Sequence, residues 1–318
     1  MINPLARFFP GRGPVPGWLA LRFVPEGMDY VHLRQVPGGR PQVTLAGTAG
    51  LDAGDEDALG KFGRELGVGR YACLHLLGSG EYQLLQVEAL NVPDEEMKTA
   101  LRWRIKDMLD YPVDEATVDM LDMAVEGGTG RARFVYGVAA RNEVIRRRMA
   151  LFAEAGVPLS VIDIRETSQR NIAALLEEKD RCLALLSFDG GGGLLTINYK
   201  GVLHLSRHIE VPLSQLQEKD EGRRQPAFER VALEVQRSLD HFDRQFHLAP
   251  LNKLTLAPLP EISGLSEYLA AHLYMPAEPV DLATVLDISA VPDLAQPVFQ
   301  SRYFLLLGAA LRPEGGAG

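Results

Sequence analysis

Between residues 182 and 209 the chain alternates apolar runs with glycine-centred breaks. Leu183 to Phe188 is almost continuously apolar, as befits a strand covered on both faces; Gly190 to Gly193 then permit a reversal, and Lys200-Gly201 marks a second one. This spacing predicts three consecutive strands joined by two tight turns. The same layout stands near the start: Gly17–Val24, Met28–Arg34 and Gln42–Ala46 are separated by Pro25-Glu26-Gly27 and Pro37-Gly38-Gly39. Asp55–Leu66 then reads as a helix and Tyr71–Leu77 as a buried strand, and the second half likewise passes into a helix and a strand at Leu254–Leu256. Two halves that each run strand, strand, strand, helix, strand predict an internal duplication.

Residues 89–139 interrupt this order just after a strand at Tyr82–Val87. Pro93 suits a helix start, with Asp94, Glu95 and Glu96 at the positive end of the dipole, and Pro112 stops the helix, which is expected over Pro93–Leu109. Met97, Leu101, Ile105 and Met108 make its apolar stripe. Arg102, Arg104 and Lys106 fall mostly away from that stripe around Trp103, as a solvated face or as a docking face. Val118–Ala124 and Arg133–Ala139 read as strands around Gly127–Gly130. Residues 142–155 and Thr167–Leu176 read as helices around a short strand at Val161–Ile164. Gln215–Gln225 is expected to be a solvated loop. Beyond Pro226, the spacing of Phe228, Val231, Val235, Leu239, Phe242 and Phe246 demands a helix with one buried face. Gly264–Leu273 and Phe299–Leu311 complete the helices. The expected division is a tail at 1–16, a first lobe at 17–88 and 140–180, an inserted subdomain at 89–139, a second lobe at 181–312 and a tail at 313–318.

Composition narrows the function classes. The 318 residues carry a net charge of -9, which argues against a nucleic-acid partner. The two cysteines, Cys73 and Cys182, lie inside apolar strand patterns and imply no disulfide framework. Pro10, Pro14 and Pro16 break up the N-terminal residues, which lack the apolar core of a signal peptide; the chain is expected in the cytosol. Gly54 with Gly60-Lys61-Phe62 misses a phosphate-binding P-loop in spacing and in its metal-binding hydroxyl. No cluster of His, Cys, Asp and Glu has zinc-like spacing, and there is no nucleophile elbow.

Asp189-Gly190-Gly191 with the following Thr196 is one way to set a carboxylate and backbone N–H groups beside a phosphate and its magnesium. The duplicated halves with such a turn resemble the actin-like ATPase fold, a duplicated ribonuclease H-like α/β architecture. Within it, Val92-Pro-Asp-Glu-Glu-Met97, Leu101-Arg-Trp-Arg-Ile-Lys-Asp107, Tyr111-Pro112, Asp119, Leu233-Glu-Val-Gln-Arg-Ser-Leu-Asp240 and Gly308-Ala-Ala-Leu-Arg312 resemble the PilM family and its relative MshI, cytoplasmic components of type IV pilus assembly. The resemblance implies ATP between the lobes, held by an Asp-Ile-Gly-Ser loop, a second Asp-x-Gly loop and a Gly-Gly turn near the adenosine. Here the first loop falls on Arg22-Phe23-Val24-Pro25, so an arginine stands in place of the metal-facing aspartate. The second loop survives as Asp189, Gly190 and Gly191, and the Gly-Gly turn becomes Ala257-Pro258. Two of three motifs are thus altered, and the expectation is a protein with no catalytic residues, bound cofactor or metal.

The resemblance further implies a scaffold on the cytoplasmic side of the inner membrane, in a machine of the MSHA kind. It would bind the cytoplasmic tail of a PilN-like single-span protein (MshJ in the MSHA system), with Trp103, Arg104 and Tyr111 as candidate contacts and room for self-association within the assembly. Two alternatives stand beside it: an active actin-like ATPase with a rebuilt pocket, using ATP and magnesium, or the cytoplasmic domain of a GspL-like type II secretion protein.

Overall fold

A computed structural model of the chain describes residues 14–90, 92–123, 134–246, 248–259 and 262–313; the Gly127–Gly130 turn and most of both expected tails lie outside them. In the first lobe, β1 (Val15–Val24), β2 (Gly27–Arg34) and β3 (Gln42–Ala49) form an antiparallel meander. Helix α1 (Glu56–Leu66) follows, its first turn capped by the Asp55 carboxylate, which accepts a hydrogen bond from the Ala58 N–H at 2.9 Å. It leads to β4 (Tyr71–Leu76), parallel to β1. The near-miss Lys61 lies in the middle of α1, where no phosphate loop exists.

The inserted unit starts earlier than the expected residue 89, because β5 (Tyr82–Glu88) pairs with β7 (Phe134–Arg141) and not with the first-lobe sheet; the unit also holds α2 (Asp94–Ile105) and β6 (Ala116–Asp122), and its antiparallel sheet is ordered β5-β7-β6. Leu101 and Ile105 press α2 onto Val87, Val135 and Ala139. This helix ends four residues earlier than its apolar spacing suggests, because the Met108 N–H turns back to the Ile105 carbonyl at 2.9 Å. Helix α3 (Asn142–Glu154) and β8 (Leu159–Asp163) then return the chain to the first lobe, and its sheet closes in the order β3-β2-β1-β4-β8.

Helix α4 (Arg165–Leu176) crosses to the second lobe, where β9 (Cys182–Asp189), β10 (Gly192–Tyr199) and β11 (Val202–Ile209) repeat the meander. After α5 (Leu213–Leu216) and α6 (Glu221–Gln245), β12 (Leu251–Leu256) pairs parallel to β9, and β13 (Ala277–Pro279) follows α7 (Leu265–His272). The order β11-β10-β9-β12-β13 repeats that of the first sheet strand for strand, as the duplicated sequence pattern predicts.

One expectation fails here. Residues 215–225 are largely helical, because Asp220 caps α6 by accepting from the Arg223 N–H at 3.0 Å, and Pro226 sits inside the helix. A proline early in a 25-residue helix costs one backbone bond, and the buried stripe of Phe228, Val231, Val235, Leu239 and Phe242 outweighs it.

Helix α8 (Pro297–Ala310) packs back against β1 and β2, and its apolar residues join Leu183 and Leu185 of β9 with Ala20 and Leu74 in a core common to both lobes. It crosses α4 with backbone nearly touching backbone: a Cβ at Gly308 would lie 2.1 Å from the Ser168 carbonyl oxygen. The inserted sheet contacts both lobes, through Val138 against Leu77 and Ile164 on one side and Met123 and Tyr136 against Leu203 on the other.

Candidate functional site

The two meander turns meet across the interlobe cleft, a cavity of about 540 Å³. The β1–β2 turn contributes Arg22, Val24 and Pro25, and the β9–β10 turn contributes Asp189 and Gly190, so residues far apart in sequence line one space. The walls are mostly apolar, with Phe23, Phe188, Leu259, Ile262 and Phe299 among them. Ala257 and Pro258 are buried, and the Ala257 N–H donates to the Leu186 carbonyl at 2.8 Å, so this segment is tied to the sheet.

Asp189 bonds to three protein groups. Its Oδ2 lies 2.7 Å from Nη2 of Arg22, its Oδ1 lies 3.1 Å from Nη2 of Arg165, and Oδ1 also accepts the Gly191 N–H at 2.8 Å. Arg22 spans the cleft here and ties one lobe's turn to the other's. Each of these contacts is charge-assisted, and each ends on a carboxylate that a magnesium ion would need free.

The glycine turn itself is covered. Ser79, in the turn between β4 and β5, stands so near Gly191 that an added Cβ would lie 2.0 Å from its Oγ; the glycine makes room for the opposite lobe. Thr196 is fully buried, and its Oγ1 accepts from Gln169 Nε2 at 3.0 Å and from Asn198 Nδ2 at 3.1 Å. The Asp189 carboxylate and the Thr196 hydroxyl, the polar side chains of this turn and strand, thus both bond to protein groups. Among the described residues, no group of three His, Cys, Asp or Glu is placed to hold a metal ion.

A second opening, about 370 Å³, lies between the inserted sheet and the first lobe. Its two walls are strand edges. Asp119 to Leu121 belong to β6 and Ser160 to Asp163 to β8, which among the described residues pair with β7 alone and β4 alone. Leu121, Val138 and Ile162 pack together in its lining, and Lys98 bonds Asp119 at 2.6 Å. Arg312 of the C-terminal segment reaches Asp163 at 3.2 Å.

The residues expected to contact a partner are not brought together. Trp103 is 63% exposed on the outer face of α2 beside exposed Arg104, whereas Tyr111 is buried with the Arg141 guanidinium 4.1 Å above its ring. None of the three lines the groove. Arg165, Ser79 and the facing edges of β6 and β8 escaped sequence reading. Arg165 carried a usable signal, since a cation in the first turn of a helix opposes the dipole and calls for an acidic partner.

This duplicated architecture is the actin-like ATPase fold. A Bacteroides thetaiotaomicron protein described as having that fold and unknown function superposes with a TM-score of 0.52 at 10% identity, over 93% of this chain and all of that one. The similarity is greater to a chain of a PilM-PilN type IV pilus biogenesis complex: TM-score 0.74 and 19% identity, over 94% of this chain and 100% of that chain. The cytoplasmic domain of EpsL, an inner-membrane component of the Vibrio cholerae type II secretion system, aligns over 92% of this chain at 16% identity with a TM-score of 0.49. No protein-family model matches the sequence, and no curated protein matches it.

Proposed function

We propose that this chain is a non-catalytic scaffold of the PilM and MshI kind, serving a type IV pilus machine of the MSHA type from the cytoplasmic side of the inner membrane. Its partner is the cytoplasmic tail of a PilN-like or MshJ-like membrane protein. The observation that carries this reading is the pair of strand edges, β6 and β8, on the two sides of one groove. An extended peptide laid there would run along the outer edges of β6 and β8, where the Asp119 carboxylate already takes the Met120 N–H at 2.9 Å, and would rest its apolar side chains on Leu121, Val138 and Ile162. The engagement of Asp189 by two arginines supports the absence of ATP chemistry, because magnesium-nucleotide would have to displace both.

Calorimetric titration separates the readings. A synthetic tail peptide of such a partner should bind saturably in the micromolar range, and Leu121→Arg in the groove wall should abolish the heat. Absence of binding at several hundred micromolar, in order of magnitude, would count decisively against the scaffold reading. Magnesium-ATP should give no heat at millimolar concentration; saturable binding there would return the chain to the active ATPases. A tail peptide from a type II secretion partner binding in place of a pilus one would reassign the system.

A further inference from the structure

The sheet of the first lobe ends on β3, whose sequence Gln42-Val-Thr-Leu-Ala-Gly-Thr-Ala49 holds no charged residue and no proline. Edge strands commonly carry such residues, because alternate residues turn their backbone N–H and C=O groups outward, ready to pair with another chain. Other edges of this molecule have them: β6 holds Asp119 and Asp122, β11 holds Arg207, and the three-residue β13 ends in Pro279. The start of β3 is covered, since Gln42 bridges to Asp287 and the Val43 N–H donates to the Asp287 carbonyl at 2.9 Å. From Thr44 to Ala49 the residues are half-buried or exposed, and among the described residues their backbone pairs with β2 alone.

Charge is placed unevenly along this edge. Arg34 and Arg40 stand exposed at its entry, donating to the Gln42 side chain at 2.6 Å and to the Ala283 carbonyl at 2.7 Å, with the Asp287 carboxylate on the same Gln42. Asp52, Asp55, Glu56 and Asp57, all exposed, follow its exit, where the Glu154 carboxyl bonded to Glu56 holds that carboxyl above its ordinary range. A copy laid parallel would set acids against acids, whereas an antiparallel copy sets each basic entry against the other's acidic exit. We infer that β3 is the pairing surface for a second copy of this chain, the two β3 strands lying antiparallel about a two-fold axis so that two five-stranded sheets run on as one. Thr44 then stands opposite Ala49 of the other copy and Ala46 opposite Gly47, and Arg40 of each copy comes near Asp52 of the other. The strand itself carries no charge that its own image would repel. This pairing leaves the peptide groove free, because β8 in the groove wall closes the opposite end of the same sheet.

The test is sedimentation velocity on the full chain over a range of concentrations. The mass should rise from 34.9 kDa toward twice that value, with a Kd of about 10 µM or below. Arg40→Glu and Asp52→Arg, both at exposed positions, should each weaken association about tenfold or more at an unchanged melting temperature. An equimolar mixture of the two variants should restore it, because each swapped charge then meets its opposite at both ends of the paired strands. Hydrogen exchange at Thr44–Ala49 should slow as the dimer fills. The proposal is overturned by a chain that stays monomeric at about 200 µM, by a dimer that neither substitution weakens, or by a mixture that fails to restore association. Protection of these amides only when the tail peptide is added would hand the edge to that partner and overturn self-pairing as well.

Discussion

The contact between Arg22 and Asp189 invites a double-mutant cycle, because its geometry predicts an uneven set of single effects. Both side chains are slightly exposed, at 19% and 16%, whereas Arg165, the other partner of Asp189, is exposed by 3%. Arg22→Ala leaves the carboxylate still paired with Arg165, so the loss should be that of one charge-assisted bond, about 1.5 kcal/mol once solvent screening is allowed for. Asp189→Ala instead strands a buried guanidinium and a second one nearby, and should cost about 3 to 4 kcal/mol. In the double variant the repulsion between the stranded cations is gone as well, so the loss should fall short of the sum by about 1 to 2 kcal/mol. Urea unfolding followed by tryptophan fluorescence, with Trp18 in β1 reporting on the first lobe, supplies the four free energies. Strict additivity, or Arg22→Ala proving the costlier single change, would refute the claim that this pair joins the two lobes.

Gly191→Ala should destabilise the chain by about 1 to 3 kcal/mol through its collision with Ser79, and Ser79→Gly should restore most of the loss; a failure of that rescue in thermal melts would mean the clash is not the cause. The buried His75 has its pKa lowered to about 3 and His32 to about 4, burial being the main cause in both. Each imidazole is neutral in the fold but takes a proton near 6.5 when unfolded, so stability present above that pH drains away as pH falls toward the folded values, by up to about 1.4 kcal/mol per pH unit and group. His75→Gln should therefore flatten the pH dependence of the urea midpoint between pH 6.5 and 4, and an unchanged slope would contradict the assignment. Asp220→Ala should remove a helix cap worth about 1 kcal/mol, seen as a lower melting temperature with the peptide groove undisturbed.

Local chemistry made much of this fold legible. The repeated meander could be read because its breaks are glycine and proline turns between apolar runs, and the α6 stripe because its spacing admits little else. Where two local signals competed, the reading failed: Pro226 was given the start of a helix that the Asp220 cap had already begun. The glycine turn after Asp189 and the Arg22 segment were visible as residue types, but the sequence could not show that Arg22 answers Asp189 across 167 positions. The groove was invisible for a related reason, since which strands lie at sheet edges depends on pairings that only the whole topology fixes.

The crossing of α4 and α8 gives the molecule its mechanics. Two rods touch at Gly308 with no side chain between them, so neither can shift against the other without backbone meeting backbone. The inserted sheet, built into the first lobe, also reaches the second, with the Tyr136 hydroxyl accepting the Ser206 N–H at 3.0 Å. A pull applied to the strand edges of the insertion would thus be carried across the whole body of the protein and not absorbed by one half of it.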